Sequence, residues 1–455
     1  MFPIPAAAEP LVSAFEGAFT RPTFERFVTL MTGLIVTIGR RTVSRALRVI
    51  EPVMGQGHWC NYHRIYSQAR YRLWDVGLIL TRRVIALLPA DQEIILVSDD
   101  TVDGKAGKNV WAKGPHRDGS NSSRKHASIK WGHKWLVMCV LVKLPGIDRP
   151  WALPILCGLC CSEKVATPAG YRHKTASQLS MQFLIRLMRW FPDRKFILLG
   201  DSRATSHRVA GFAHRHRDRV TVISRLRADA NLYGKPKHPQ RRTNSGRLQY
   251  KGRKLPSPAE QAKQLTPQQS IIAWYGSSRR RIKHVSQTAL WYSVTNLAVV
   301  PIRWVCVLGE KGQEDAYFYS SQENFDARRI VELYAMRWNI EVTFEEARAL
   351  LGLETTRHWC KQSVLRATPL LIGLFTAVAL MWNELSDSIS KELLSQTPCY
   401  RKQSMTFSDV LFLVRREIWS NGLLQHHLPA RCNSWLDTLP DKLRNTLLAQ
   451  LAAAA

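Results

Sequence analysis

Tyr334, Arg337, Glu341 and Arg348 bring a phenol, two guanidinium groups and a carboxylate together in one short segment. Counting about 100° per residue from Tyr334, Arg337 falls near roughly 300°, Glu341 near 340° and Arg348 near 320°, one stripe of a helix. Leu333, Met336, Ile340, Phe344, Ala347 and Leu351 gather between roughly 200° and 280°, the face such a helix lays on a core. A carboxylate on that rim is partly desolvated, flanked by cations and able to reach into a cleft. The competing reading is a rim of ordinary ion pairs between helical neighbours, each worth little.

Two further acids sit where strands should end. The apolar run Glu93 to Val97 closes on Ser98-Asp99-Asp100-Thr101, and Lys195 to Gly200 closes on Asp201. A carboxylate at the end of a buried strand is costly unless a cation or donors compensate it. If the strands are neighbours, about 4.8 Å apart, Asp100 and Asp201 can share a divalent ion, with Glu341 descending from the packed helix to complete the site. Oxygen ligands of this kind suit Mg2+ or Mn2+. Two such ions, roughly 3.5 to 4 Å apart, would activate a water or a 3′-hydroxyl and stabilise the leaving oxygen of an in-line phosphoryl transfer. Asp100 and Asp201 also read as turn or cap residues. Asp99 and Asp100 must point to opposite faces of a strand, so only one of them can meet the ion. Glu345, near roughly 20° on the helical count, rivals Glu341, and Glu346, near roughly 120°, should face solvent.

The whole chain is built to attract polyanions. It carries 65 Lys plus Arg against 35 Asp plus Glu, a formal charge of +30 and a pI of about 10.2, which points to nucleic acid as the partner. A short or low-complexity basic protein is excluded by 455 residues, 45% hydrophobic content and 15 Trp, enough for a large core in two or three domains. Nine Cys without regular spacing and no signal-like start suggest a reducing cytosol. The longest apolar run, Pro369 to Trp382, is 14 residues, a buried helix rather than a membrane span. Neither Cys157, Cys160 and Cys161 nor His58, Cys60 and His63 has the second ligand pair of a structural zinc site.

Periodicity divides the chain. Residues 1–90 read as helical and DNA-binding, with Thr42 to Ile50 as a basic helix after a Gly39-Arg40-Arg41 turn, compatible with a helix-turn-helix. Strands follow at 93–97, 135–143 and 151–159, then a helix at 177–190 and strands at 195–200 and 220–224, the order of a mixed sheet with helices packed on it. Between Arg225 and Lys263 there are eleven Lys or Arg against Asp229 and Glu260, too few apolar residues for a core and a composition suited to phosphates. Strands resume near 271–275, 290–294, 302–308 and 317–320, so 225–315 reads as a basic, strand-rich insertion. The core is then 91–224 plus 316–390, followed by a helical region, 391–455. Trp304, near the end of the insertion, reads as core packing or as a platform for an unpaired base.

Tyr334, two residues, Arg337, three residues, Glu341, six residues and Arg348 resembles the Tyr-Arg-Glu-Lys signature of bacterial cut-and-paste DDE transposases of the IS-four type. The likeness extends to Asp100-Thr101 and to Asp201, giving the order Asp, Asp, Glu, and covers about residues 90 to 360. The family's first acid precedes threonine, which selects Asp100 over Asp99, and the signature spacing selects Glu341 over Glu345. The resemblance implies an α/β, ribonuclease-H-like core, a two-metal site with Mg2+ or Mn2+, and a homodimer that binds terminal inverted repeats and joins the element to target DNA. It implies a bacterial, cytoplasmic, nucleoid-associated enzyme with no membrane partner. Tyr334, Arg337 and Arg348 would hold phosphates, with arginine at 348 where lysine is usual, a planar fork in place of a point charge. A catalytically inactive relative or a related nuclease are the alternatives. Affinity should come largely from phosphate neutralisation, so replacing Arg241, Arg242, Arg253 and Lys254 by Ala should flatten the slope of log affinity against log salt. An unchanged slope would mark the insertion as a solvated loop.

Overall fold

The computed structural model describes residues 4–54, 58–118, 122, 126–236, 250–274, 278–293, 298–310, 312–386, 396–397, 400–402, 404–423 and 439–452. Among the described residues eleven strands make one sheet: β1 Ile94–Gly104, β2 Gly114–Arg117, β3 Ile129–Val142, β4 Trp151–Cys160, β5 Phe196–Gly200, β6 Val220–Arg225, β7 Leu232–Tyr233, β8 Gln268–Ala273, β9 Arg279–Tyr292, β10 Val299–Val307 and β11 Ala316–Ser320. Its centre runs β4-β3-β1-β5-β6, with β4, β3 and β1 antiparallel and β1, β5 and β6 parallel. This is the mixed α/β sheet with flanking helices that was expected.

The continuous apolar runs explain the centre. β5 is buried at all five positions, so both of its faces must be covered, and helices cover them. On one face Leu96, Leu136 and Leu198 join the N-terminal helices, the Ala176–Trp190 helix and the Lys361–Leu385 helix. On the other, Val97, Ile197, Leu199 and Ile223 meet Ile330, Leu333, Ile340 and Phe344. The Lys361–Leu385 helix has the length and apolar composition to cross a membrane, and most of it is buried inside this fold.

Residues 225–315 extend the same sheet. β11 pairs with β6, and β10 and β9 follow in antiparallel order. The basic run at 279–283 opens β9 rather than linking two strands, because alternate side chains there face out while Ile282 faces in. Trp304 is fully buried in the core, which removes it as a base-stacking platform.

The helical stripe also differs from one continuous helix. Helices Ala327–Met336 and Trp338–Leu351 meet at Arg337, where the N–H of Arg337 bonds the Tyr334 carbonyl and Arg337 O accepts from Ile340 N, both one residue tighter than an α-helical bond. The second helix stops at Gly352, whose φ of 61° suits glycine.

Gly200 fixes the turn that presents Asp201. A Cβ there would lie 2.7 Å from Thr205 Cγ2. Thr205 is held by its hydroxyl to the Asp201 carbonyl and to Ser224 Oγ, and its own carbonyl accepts from Tyr319 Oη at 2.8 Å. Gly200→Ala should therefore cost about 1–3 kcal/mol by overpacking, whereas Gly17→Ala, with nothing within 4 Å of the added carbon, should be close to neutral. Denaturant midpoints of the two variants check this, and equal midpoints would contradict it.

Candidate active site

Strand alternation decides which aspartate faces the helices. Val97 and Leu199 belong to the face covered by the Trp338–Leu351 helix, and two residues further on Asp99 shares that face. Asp99 Oδ2 accepts from Arg337 Nη1 at 2.6 Å, and Arg337 Nη2 donates to Glu341 Oε1 at 2.5 Å. Asp100 points the other way and pairs with Lys134 Nζ at 2.8 Å. The expectation that Asp100 joins Asp201 and Glu341 is thus corrected: the neighbouring carboxylate, Asp99, occupies that face.

Asp201 comes in beside Asp99 from the parallel strand. Ser98 pairs with Gly200, so Asp99 and Asp201 follow at equivalent places, one strand spacing apart. Asp201 Oδ1 accepts from the backbone N–H of Arg203 at 3.0 Å and of Ala204 at 2.8 Å. It therefore caps its own turn while its charge is felt at Asp99. Burial, opposed by Arg337 and reinforced by Asp201, pushes the Asp99 carboxyl up to about 7. Arg337 Nε is buried without a hydrogen-bond partner, so the guanidinium has donor capacity that this arrangement leaves unused.

The rest of the stripe divides along β1. Tyr334 packs on Phe318 with ring centroids 4.6 Å apart, and the Arg337 guanidinium lies 5.7 Å from its ring centre. Burial raises the Tyr334 phenol, and Asp201 is among the charges acting on it. Arg348 reaches β1 two residues past Asp99, donating to Thr101 Oγ1 and, at 2.9 Å, to Glu354 Oε1. Glu345 is exposed. Glu346, expected in solvent, is half-buried and its carboxyl is raised by burial, with Arg149 opposing. Neighbouring packing covers a position that a helix in isolation would expose.

Of the basic positions in the insertion, Arg253 and Lys254 are exposed, and Arg241 and Arg242 lie outside the described residues. Cys157, Cys160 and Cys161 are unpaired, and burial pushes the Cys160 thiol up to about 12. Among the described residues no three His, Cys, Asp or Glu side chains stand together ready to hold a metal ion. At the site itself Arg337 stands between two of the three acids. The donor chemistry nevertheless fits a hard divalent cation, being carboxylate oxygen throughout.

Two features are not marked in the sequence: alternation does not say which of Asp99 and Asp100 faces the helices, and the turn network of Thr205, Ser224 and Tyr319 carries no motif. The small hydroxyl residues flanking Asp201 were its only signal.

A family model described as DDE superfamily endonuclease matches residues 14–285, a span that holds Asp99, Asp100 and Asp201 and ends before Glu341. Among solved structures, the piggyBac transposase synaptic complex with hairpin DNA aligns with 99% of this chain and 82% of that chain, at 12% identity and a TM-score of 0.44. No curated protein matches.

The raised Asp99 carboxyl has a measurable consequence in metal-free buffer. It holds a proton in the folded state at a pH where the unfolded chain, at the ordinary value of 3.8, has lost it, so folding stability should fall as pH rises from about 4 to about 7. Asp99→Asn should flatten that part of the stability profile, and thermal melts in EDTA across the range test it. An unchanged slope would mean that Asp99 does not titrate in this way.

Proposed function

We propose that this chain, which belongs to the DDE superfamily endonucleases, is a DNA transposase that cuts phosphodiester bonds at element ends and joins the freed 3′-hydroxyls to target DNA. The observation that carries the reading is Arg337 held between Asp99 and Glu341, with the charge of Asp201 acting on Asp99 from the neighbouring strand. The charge of +30 supplies the attraction to DNA. In the cut, a water oxygen bonds to phosphorus, the bond from phosphorus to the 3′-oxygen breaks, and that oxygen leaves as a hydroxyl. In joining, the 3′-hydroxyl attacks a target phosphorus and displaces a second 3′-oxygen. Bond count and charge balance in both steps.

Enzymes of this superfamily act with divalent metal ions, and our assignment is two Mg2+ or Mn2+ held by Asp99, Asp201 and Glu341. Such ions supply Lewis-acid activation of the attacking oxygen and neutralise the leaving one. This chain's own residues do the positioning. Before DNA arrives Arg337 compensates Asp99 and Glu341; on loading it gives up at least one carboxylate and turns its donors to a phosphate. Tyr334, steadied by Phe318, presents its hydroxyl beside Asp201. Arg348 is tied to Thr101 and Glu354 and holds the helix against β1, a different task from the phosphate contact that the resemblance implies. Arg253 and Lys254, with the exposed Arg45 and Arg48 of the Val43–Met54 helix, supply phosphate contacts. A homodimer on paired inverted repeats, in a bacterial cytoplasm at the nucleoid, completes the proposal.

Labelled element-end DNA with Mg2+ or Mn2+ tests it. Asp99→Asn, Asp201→Asn and Glu341→Gln should each slow cleavage at least about a hundredfold while end binding persists, and Asp100→Asn should keep cutting. Arg337→Ala should reduce joined product more than nicked product, because joining requires a cut strand to be retained. Nicking without joining by the unaltered protein would favour a plain nuclease, and binding without cutting an inactive relative.

A further inference from the structure

Ile129, Trp131 and Trp359 are 62%, 55% and 66% exposed, unusual for side chains that gain so much from burial. Trp131 and Trp359 border one loop, residues 105–113, and Ile129 lies two residues before Trp131 on β3. The backbone N–H of Lys105 bonds the Trp131 carbonyl at 2.8 Å, and that of Trp111 bonds the Trp359 carbonyl at 2.9 Å. Lys105 Nζ donates to Thr356 O and Oγ1 at 3.1 and 2.9 Å, closing the loop onto the segment that carries Trp359.

The surroundings are basic. No Asp or Glu occurs in 104–117, 119–147 or 355–366. Lys108, Arg357 and Lys361 are exposed, and Lys113 Nζ lies 5.9 Å from the centre of the Trp131 ring. Asp103 is paired with Lys105 at 2.9 Å, and Glu354 with Lys130 at 2.7 Å and Arg348 at 2.9 Å; Asp118, whose N–H bonds the Ser128 carbonyl, stands at the Ile129 edge. A ring of cations disfavours a purely apolar protein partner. Duplex DNA uses cations but offers few base faces to tryptophan, whereas an unpaired strand presents phosphates and base faces together.

We propose that Trp131 and Trp359, with Lys108, Lys113 and Arg357, form a stacking surface for unpaired DNA, distinct from the carboxylate site. This rests on the reading of the chain as a DNA-processing enzyme and names the form of DNA held. Trp131 lies level with Lys105, just past the end of β1 and six positions beyond Asp99. At about 3.4 Å per residue that is roughly 20 Å from the acids, within reach of a strand cut there.

The test uses the full-length protein in EDTA, with fluorescence anisotropy of a labelled oligothymidine and of a blunt duplex of equal length. Trp131→Ala and Trp359→Ala should each weaken oligothymidine binding about tenfold and duplex binding less than about twofold, with Phe at either position restoring most of the loss. Unchanged oligothymidine binding, or equal losses on both DNAs, overturns the proposal. So does light scattering in which Trp131→Ala turns a dimer into a monomer with DNA binding intact, since a second copy would then cover this face. Should an Ala variant fail to fold, Lys108→Glu and Arg357→Glu carry the same comparison, with the single strand again expected to suffer more. Absence of cleavage by the unaltered protein would defeat the transposase reading and leave this surface standing; cleavage intact with indifferent tryptophans would defeat this surface alone.

Discussion

A guanidinium clamped between two carboxylates, Arg337 between Asp99 and Glu341, is the contact on which the rest depends. Asp99 sits midway along β1, and removing one partner from such a pair typically costs about 3–5 kcal/mol because the other charge stays behind uncompensated. The clamp also sets where the acid-bearing helix lies on the sheet. Three further ties hold that helix: Thr343 Oγ1 donates to the Ala152 carbonyl of β4 at 2.8 Å, Arg348 grips Thr101, and the chain turns away at Gly352. The helix is thereby registered against β1 from both ends.

The N-terminal region takes part in that registration. Arg41 is buried, and its Nη2 donates to the Leu350 carbonyl at 2.6 Å while its backbone N–H bonds Thr355 Oγ1 at 2.8 Å. A cation at the C-terminal end of a helix meets the carbonyls left without partners there. The turn just before the basic Val43–Met54 helix thus braces the far end of the helix bearing Glu341. The N-terminal helices and the helix bearing Glu341 are mechanically joined.

Much of this architecture was legible because burial on both faces leaves continuous apolar runs, as in Phe196–Gly200, and because acids at the ends of such runs are conspicuous. What was not legible has local causes. Alternation says that Asp99 and Asp100 face opposite ways but not which of them faces the helices, and a threonine after Asp100 decided wrongly. The break at Arg337 involves neither glycine nor proline, so nothing in the local sequence marks it. That β11 pairs with β6 was not legible because the two strands are remote in sequence.

The central claim is that Asp99, and not Asp100, completes a carboxylate site with Asp201 and Glu341 that Arg337 occupies until a cation replaces it. Anomalous diffraction from crystals grown with Mn2+ tests this directly. The account predicts anomalous density bounded by Asp99, Asp201 and Glu341, with the Arg337 side chain withdrawn from at least one acid. Density beside Asp100 and Lys134, or Arg337 still bridging Asp99 and Glu341 at saturating Mn2+, would contradict it.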